Sequence, residues 1–397
     1  MAASNPVIVV NQRGAGRLRG GHLWVYRSDL ASAKAPAGAL VEVRDERGRP
    51  LGSALYSSSS QIAIRLVSNE PLAERALLTL VRERIAAAVR FRQGAARDTD
   101  SYRVIFSEAD LLPGLIVDRY NDVLSMQMLT QAFDREDLRQ VVVSALAQYF
   151  PDASLIERVD LHIRELEELP ARESQILRGE RSSSIFTFNG VRFRFDGLGG
   201  QKTGAFLDQR ENYAAAARYA HGEALDCFTY QGGFALHLAR VCDQVAAIDS
   251  SRPALEVAEQ NEQLNREQHR SGEIEWTEGN SFDVLKDYSS AGRQYDTIVL
   301  DPPAFAKSKR AVPTALRGYK ELNLRALKML RPSGVLVTCS CSFHVGEGEF
   351  LEMLSSAAAD AGRRVRVLEK RGAAVDHPAL LNMPETAYLK CLICQAG

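Results

Sequence analysis

From residue 224 onward the chain alternates short apolar runs with helical stretches, a pattern that few folds accept. The candidate strands are 224–227, 245–249, 274–277, 297–300 and 335–339, with helical periodicity between them, including 252–265 and 319–330. Apolar strands this short, separated by helices, indicate an α/β domain built on a doubly wound parallel sheet. Such a sheet binds its ligand beyond the carboxyl ends of its strands. The residues that end each run are therefore the candidates for chemistry. Just before the alternation, 186–188 and 191–195 flank Asn189-Gly190, which reads as a hairpin with a primed turn and opens a domain spanning 186–397.

The first run ends in Asp226 and Cys227 and leads into Phe228-Thr229-Tyr230-Gln231-Gly232-Gly233. Glycines at a strand-to-helix turn let a ligand come close to the backbone. The second run ends in Asp249, 23 residues after Asp226, where a carboxylate can accept hydrogen bonds from a ribose diol. A nicotinamide-binding turn would carry G-x-G-x-x-G to seat a pyrophosphate. Only the pair Gly232-Gly233 is present, so a ligand without phosphate, such as S-adenosyl-L-methionine, fits better. After the third run, Asn280 and Phe282 are placed to meet an adenine. Upstream, the polar cluster 202–210, with Lys202, Thr203, Asp208, Gln209 and Arg210, is suited to clamp the methionine end, Arg210 facing its carboxylate. An ordinary α/β turn and a capped helix N-terminus would carry the same residues.

The fourth run ends in Asp301-Pro302-Pro303, and Lys307, Lys309 and Arg310 follow as candidate phosphate contacts. The fifth ends in Thr338-Cys339-Ser340-Cys341-Ser342. Cysteines at i and i+2 of a strand face the same way. A metal site would need two further ligands; Cys391 and Cys394 have the spacing but read as core of a late strand, so no metal is expected. A nucleophile is the other reading. A thiolate added to carbon 6 of a cytosine makes carbon 5 reactive toward a sulfonium methyl, and an acid near ring nitrogen 3 stabilises the adduct. Cys341 and Asp301, at neighbouring strand ends, would supply that catalytic pair. A buried structural cysteine fits the spacing equally.

Upstream, residues 1–75 read as a small β-rich module, with runs at 7–10, 40–43 and 62–66 punctuated by glycines, and 76–185 as a mixed α+β domain. The latter opens on a helix near 72–92 with Leu77, Leu78, Val81, Ile85 and Val89 on one face. Two strands follow around Leu112-Pro113-Gly114, then a helix at 134–149 and a strand-and-linker segment at 157–181. The first 75 residues hold ten Arg or Lys against six Asp or Glu, and Arg13, Arg17, Arg19 and Arg27 interleave with Trp24 and Tyr26. A basic strip with aromatics can bind nucleic acid; a solvated face over two core aromatics has the same composition. No apolar run approaches the roughly 18 residues of a membrane span, and no secretory leader is evident, so a cytoplasmic location is expected. The oligomeric state is open, a homodimer included.

Eight stretches together carry a resemblance: 112–120, Lys202-Thr203-Gly204, 206–210, Gly232-Gly233-Phe234, Asp301-Pro302-Pro303, Ser340-Cys341-Ser342, Asp376-His377-Pro378 and Tyr388-Leu389-Lys390. Across essentially its whole length the chain resembles the bacterial 23S ribosomal RNA cytosine carbon-5 methyltransferases of the RlmI type. The resemblance implies an N-terminal PUA RNA-binding domain, a central α+β domain and a C-terminal Rossmann-like methyltransferase domain using S-adenosyl-L-methionine. It also implies 23S ribosomal RNA as partner and Cys341, rather than Cys339, as nucleophile. Asn280 stands where that family carries an acidic residue, and Tyr213 where it carries arginine.

Overall fold

The computed structural model describes residues 5–199 and 204–397, so Lys202 and Thr203 lie outside the described residues. The described chain forms two compact units. One runs to Phe186 and takes in Phe195–Gly204 and Val375–Thr386; the other holds Thr187–Arg194, Ala205–Ala374 and Ala387–Gly397.

The first unit begins with a sheet of six strands: β1 (Val7–Val10), β2 (Trp24–Tyr26), β3 (Leu30–Ser32), β4 (Leu40–Asp45), β5 (Pro50–Tyr56) and β6 (Ile62–Ser68), in the order β2-β6-β5-β4-β1-β3. A helix, α1 (Gln12–Arg19), stands where the sequence reading expected only glycine-rich turns. Asn11 caps it, its side chain accepting from the Gly14 amide at 2.9 Å. Gly14 is buried so tightly that a Cβ there would lie 3.1 Å from Val25; packing outweighs the low helix propensity of glycine.

The basic strip is partly neutralised where it stands. Arg13 pairs with Asp29 at 2.7 Å, Arg19 with Asp45 at 2.5 Å, and Arg17 lies 4.4 Å over the Tyr26 ring. Arg27 is turned onto the carbonyls of Ser57 and Ser60.

Helix α2 (Glu74–Ala95) buries Leu77, Val81, Ile85 and Val89, leaving Leu78 partly buried. It shares a core with β7 (Ser101–Phe106), β8 (Leu115–Tyr120), β9 (Val123–Met128), α3 (Glu136–Tyr149) and β10 (Ser154–Glu157), and α4 (Leu161–Leu166) and β11 (Gln175–Arg178) follow. The sheet order is β11-β10-β9-β8-β7. Three strands, not two, occupy 101–128, because Asn121 at φ +55° turns the chain again after β8. The stretch expected as strand and linker contains both α4 and β11.

The second unit takes in the β12 (Ser183–Phe188) and β13 (Val191–Asp196) turn, where Asn189 and Gly190 have φ of +52° and +78°, the primed geometry expected. Then come α5 (Arg210–Tyr219), β14 (Glu223–Cys227), α6 (Gly233–Leu238), β15 (Gln244–Asp249), α7 (Arg252–Gln263), β16 (Glu275–Glu278), α8 (Ser281–Ser290), β17 (Tyr295–Leu300), α9 (Val312–Met329), β18 (Leu330–Ser340), α10 (Glu347–Asp360), β19 (Val365–Arg371) and β20 (Lys390–Ala396). Their sheet runs β16-β15-β14-β17-β18-β20-β19, parallel except for β20. The strand order reverses between β14 and β17, which opens a crevice at their carboxyl ends. No helix is long and apolar enough to cross a membrane, among the described residues.

Within the first unit, Arg139 of α3 clasps Glu157 of β10 through two hydrogen bonds of 2.6 Å, both side chains buried. Burial acts to raise the Glu157 carboxyl, but the hydrogen bonds and charge of Arg139 outweigh it and hold it below its ordinary value. Its stabilising contribution is therefore complete above the ordinary carboxylate range and fades as pH falls. Glu157→Ala strands a buried guanidinium and is expected to cost about 3 kcal/mol of unfolding free energy in urea titration. A change within about 0.5 kcal/mol would show that water already compensates Arg139.

Candidate active site and cofactor crevice

The crevice floor is the loop between β14 and α6. Asp226 is fully buried, and its Oδ2 accepts from the Thr229 hydroxyl at 2.6 Å and the Ala235 amide at 2.9 Å. Its Oδ1 has no partner among the described residues. Burial pushes this carboxyl up to about 7, against the hydrogen bonds from Thr229 and Ala235 and with the charge of Asp249. Phe228, Tyr230 and Gly232 all have left-handed backbone, at φ +66°, +52° and +86°. Non-glycine residues rarely hold that geometry, and such strain concentrates at functional loops. Gly233 answers a different need: a Cβ there would stand 2.5 Å from the hydroxyl of Tyr213, a residue of α5.

Asp249, at the end of β15, holds the same loop from the side, accepting from the Tyr230 amide at 2.8 Å and the Ser251 amide at 2.9 Å. Asn280 is exposed and caps α8, its oxygen accepting from the Phe282 amide at 2.9 Å. That contact accounts for the side chain structurally, and Asn280 does not line the inner cavity. Phe282 stands edge-on to Phe228 and tilted against Phe305, forming an aromatic wall.

On the opposite side, Asp208 accepts from the Tyr388 hydroxyl at 2.5 Å, and Gln209 donates to Asp301 Oδ1 at 3.0 Å while accepting from Asn212 at 2.7 Å. Arg210 is buried at 1% exposure, with Glu211 3.6 Å from its guanidinium. A cavity lined by Ala205, Phe206, Tyr213, Phe228, Tyr230 and Asp301, among others, lies between these walls.

Asp301 closes the crevice at β17. Burial, then the nearby carboxylates Asp208 and Asp226, push its carboxyl up to about 8, despite hydrogen bonds from Gln209 and Cys339. Register explains the Cys339 contact: Leu300 lies opposite Thr338, which sets Asp301 level with Cys339 rather than Cys341. Cys339 is wholly buried and touches the acid. Cys341 stands two residues further out, is partly exposed, and makes only a weak 3.8 Å contact with the Pro302 carbonyl. Burial and the charges of Asp301 and Asp208 push its thiol up to about 11. Cys391 and Cys394 are buried in β20.

The donor set suits S-adenosylmethionine. Four carboxyl groups, Asp208, Asp226, Asp249 and Asp301, surround the crevice, and the Asp226 Oδ1 is unsatisfied. A pyrophosphate would be repelled there; a ligand carrying sulfonium and ammonium charges would not.

A PUA-like domain model matches residues 8–69, and a model of S-adenosylmethionine-dependent methyltransferases matches residues 163–393. Ribosomal RNA large subunit methyltransferase I of Klebsiella pneumoniae is 36% identical over 94% of this chain and 94% of its own. The protein of the same name from Photobacterium profundum is 37% identical over 95% and 96%. The chain belongs to the ribosomal RNA large subunit methyltransferase I family of S-adenosylmethionine-dependent methyltransferases. A solved methyltransferase from Streptococcus mutans shares the fold at TM-score 0.82 and 18% identity, over 98% of this chain and 100% of that one. Another solved methyltransferase, complexed with S-adenosylhomocysteine, superposes at TM-score 0.83 and 18% identity over the same shares.

Tyr388 and Lys390 were named only within a resembling stretch and given no role: the Tyr388 hydroxyl holds Asp208, and Lys390 donates to the Ser342 and Tyr388 carbonyls at 2.6 and 2.8 Å. The available signal was their alternation in Tyr388-Leu389-Lys390, which sets both on one face. Gly233→Ala is expected to weaken S-adenosylmethionine binding about tenfold or more by calorimetry, because the new methyl group displaces Tyr213 into the cavity. Unchanged affinity would show that Tyr213 yields without disturbing the crevice.

Proposed function

We propose that the protein methylates carbon 5 of a cytosine in large-subunit ribosomal RNA, with Cys341 as nucleophile and Asp301 as acid. One observation carries this reading: a partly exposed thiol, one step beyond Cys339 on β18, lies within electrostatic reach of an Asp301 carboxyl pushed up to about 8. The relatives' names supply the class of RNA. Lys307, Lys309 and Arg310 are exposed just after Asp301-Pro302-Pro303 and suit the phosphates of a polynucleotide. Asp208, Gln209, Arg210, Asp226, Phe228, Thr229, Gly232, Asp249, Asn280 and Asp301 are the proposed cofactor contacts. The amide-bound carboxylate of Asp249 still has lone pairs for a ribose diol.

Bound S-adenosylmethionine supplies an electrophilic methyl group on a sulfonium. The chain's residues prepare the base for it. Cys341 forms a sulfur bond to carbon 6, Asp301 gives its proton to ring nitrogen 3, and the ring's electron density gathers at carbon 5. Once carbon 5 carries the methyl group, loss of its proton expels the Cys341 thiolate, and nitrogen 3 returns its proton to Asp301. Net, one proton is released.

Large-subunit RNA from cells lacking the gene, incubated with the protein and mapped by mass spectrometry, is expected to gain 5-methylcytosine. Cys341→Ala is expected to yield none while binding the cofactor as the parent does. Methylated guanine, or normal activity in Cys341→Ala, would refute the cytosine reading.

The active form needs the Cys341 thiolate and the Asp301 acid together. With the thiol near 11 and the acid near 8, each pH unit below 8 multiplies the thiolate about tenfold while Asp301 stays protonated. Log kcat/KM is therefore expected to climb with a slope of about one from neutrality and to stop climbing near pH 8. There Asp301 loses its proton, and Lys390, which burial has lowered to about 8, loses the charge that favours the thiolate. A profile that is flat or falling over about pH 6 to 8 contradicts the pairing.

A further inference from the structure

Serines bracket Cys341, and in the structure both turn to one partner. The Ser340 hydroxyl donates to the Tyr319 hydroxyl at 3.0 Å, and the Tyr319 hydroxyl lies 2.9 Å from Ser342 Oγ. The Ser342 amide donates back to Ser340 Oγ at 3.3 Å. Ser342 Oγ also accepts from the amide of Ala306, in the loop that follows Asp301-Pro302-Pro303, at 3.1 Å. Tyr319, Ser340 and Ser342 are all completely buried. One proton ordering satisfies the chain: Ser340 donates to Tyr319, and Tyr319 to Ser342, which also receives Ala306. The Tyr319 ring is wedged between Phe305 at 4.7 Å and Phe350 at 5.5 Å, so the hydroxyl cannot drift.

The Tyr319 hydroxyl is thus a node joining the residues on either side of Cys341 to the loop that carries Asp301. Filling the core between Phe305 and Phe350 would need only a phenylalanine. Cys341 itself has no strong hydrogen bond to orient it. Its reach toward a base is then governed by the backbone on its two sides, and a misplacement of about 1 Å at a reacting atom is enough to slow chemistry severely.

We infer that Tyr319 is a positioning residue whose hydroxyl, through Ser340 and Ser342, fixes the direction of the Cys341 thiol relative to Asp301. This rests on the reading of Cys341 as nucleophile. In the full-length protein, Tyr319→Phe keeps the ring and removes the node. It is expected to lower kcat for RNA methylation about tenfold or more, with KM for RNA and the cofactor Kd held within about twofold. Ser340→Ala, which removes one arm, is expected to lower kcat in the same direction by a smaller factor; it decides the matter if Tyr319→Phe fails to bind cofactor and so fails to fold. Wild-type kcat in a folded Tyr319→Phe, or a loss confined to KM or Kd, overturns the inference. Cys341→Ala separates the two claims. If it is inactive while Tyr319→Phe is fully active, only the positioning role falls; if it is active, the nucleophile falls, and the positioning role with it.

Discussion

A half-buried carboxyl group crowded by other carboxyl groups is pushed toward its protonated form, and the crevice is organised around that constraint at Asp301. Gln209 reaches it from the turn before α5, Cys339 touches it from β18, and Asp208 and Asp226 raise it by their charge. Ionising several carboxylates together in a partly desolvated space is costly, so the group with least compensation stays neutral. A neutral carboxylic acid can donate to a ring nitrogen, which a carboxylate cannot do. The same charge distribution suits a cationic cofactor, and together with burial it pushes the nearby Cys341 thiol up.

That electrostatic arrangement depends on backbone geometry that side chains alone would not maintain. Three left-handed residues in the loop after β14 turn its amides and side chains alternately, and Asp249 fastens the loop by accepting from the Tyr230 amide. At the other lip, β20 supplies Lys390, whose ammonium holds the carbonyl of Ser342. Strand register does the rest. Level pairing of Leu300 with Thr338 puts Cys339 beside Asp301 and leaves Cys341 one step further out and partly exposed.

Much of this was readable from residues 224–340, because short buried strands that alternate with helices leave few alternatives. All five expected strands formed, and the acidic residues at their ends gathered as the topology requires. What was not readable depended on long-range packing. Helix α1 is hidden by its glycines and is held by the Asn11 cap and by close contact with Val25 and Val10. The strand Val123–Met128 follows from a left-handed Asn121 that no periodicity announces. Arg13 and Arg19 read as free charge because Asp29 and Asp45, their partners, lie 16 and 26 residues away. That Cys339, and not Cys341, lies level with Asp301 was not readable, because register, unlike alternation, is not written in one strand. Asn280 acts as a helix cap in the structure, which accounts for an amide at that position without reference to adenine.

In the proposed reaction the Cys341 sulfur bonds to carbon 6 of a cytosine. The most direct measurement is to incubate the full-length protein and S-adenosylmethionine with large-subunit RNA carrying 5-fluorocytosine, digest the products, and sequence the cross-linked peptide by mass spectrometry. Fluorine at carbon 5 cannot leave as a proton does, so the adduct cannot resolve. A nucleotide-bearing peptide whose modified residue is Cys341 is expected. A cross-link at Cys339, or unmodified peptide alongside continued methyl transfer to the same RNA, would contradict the proposed reaction.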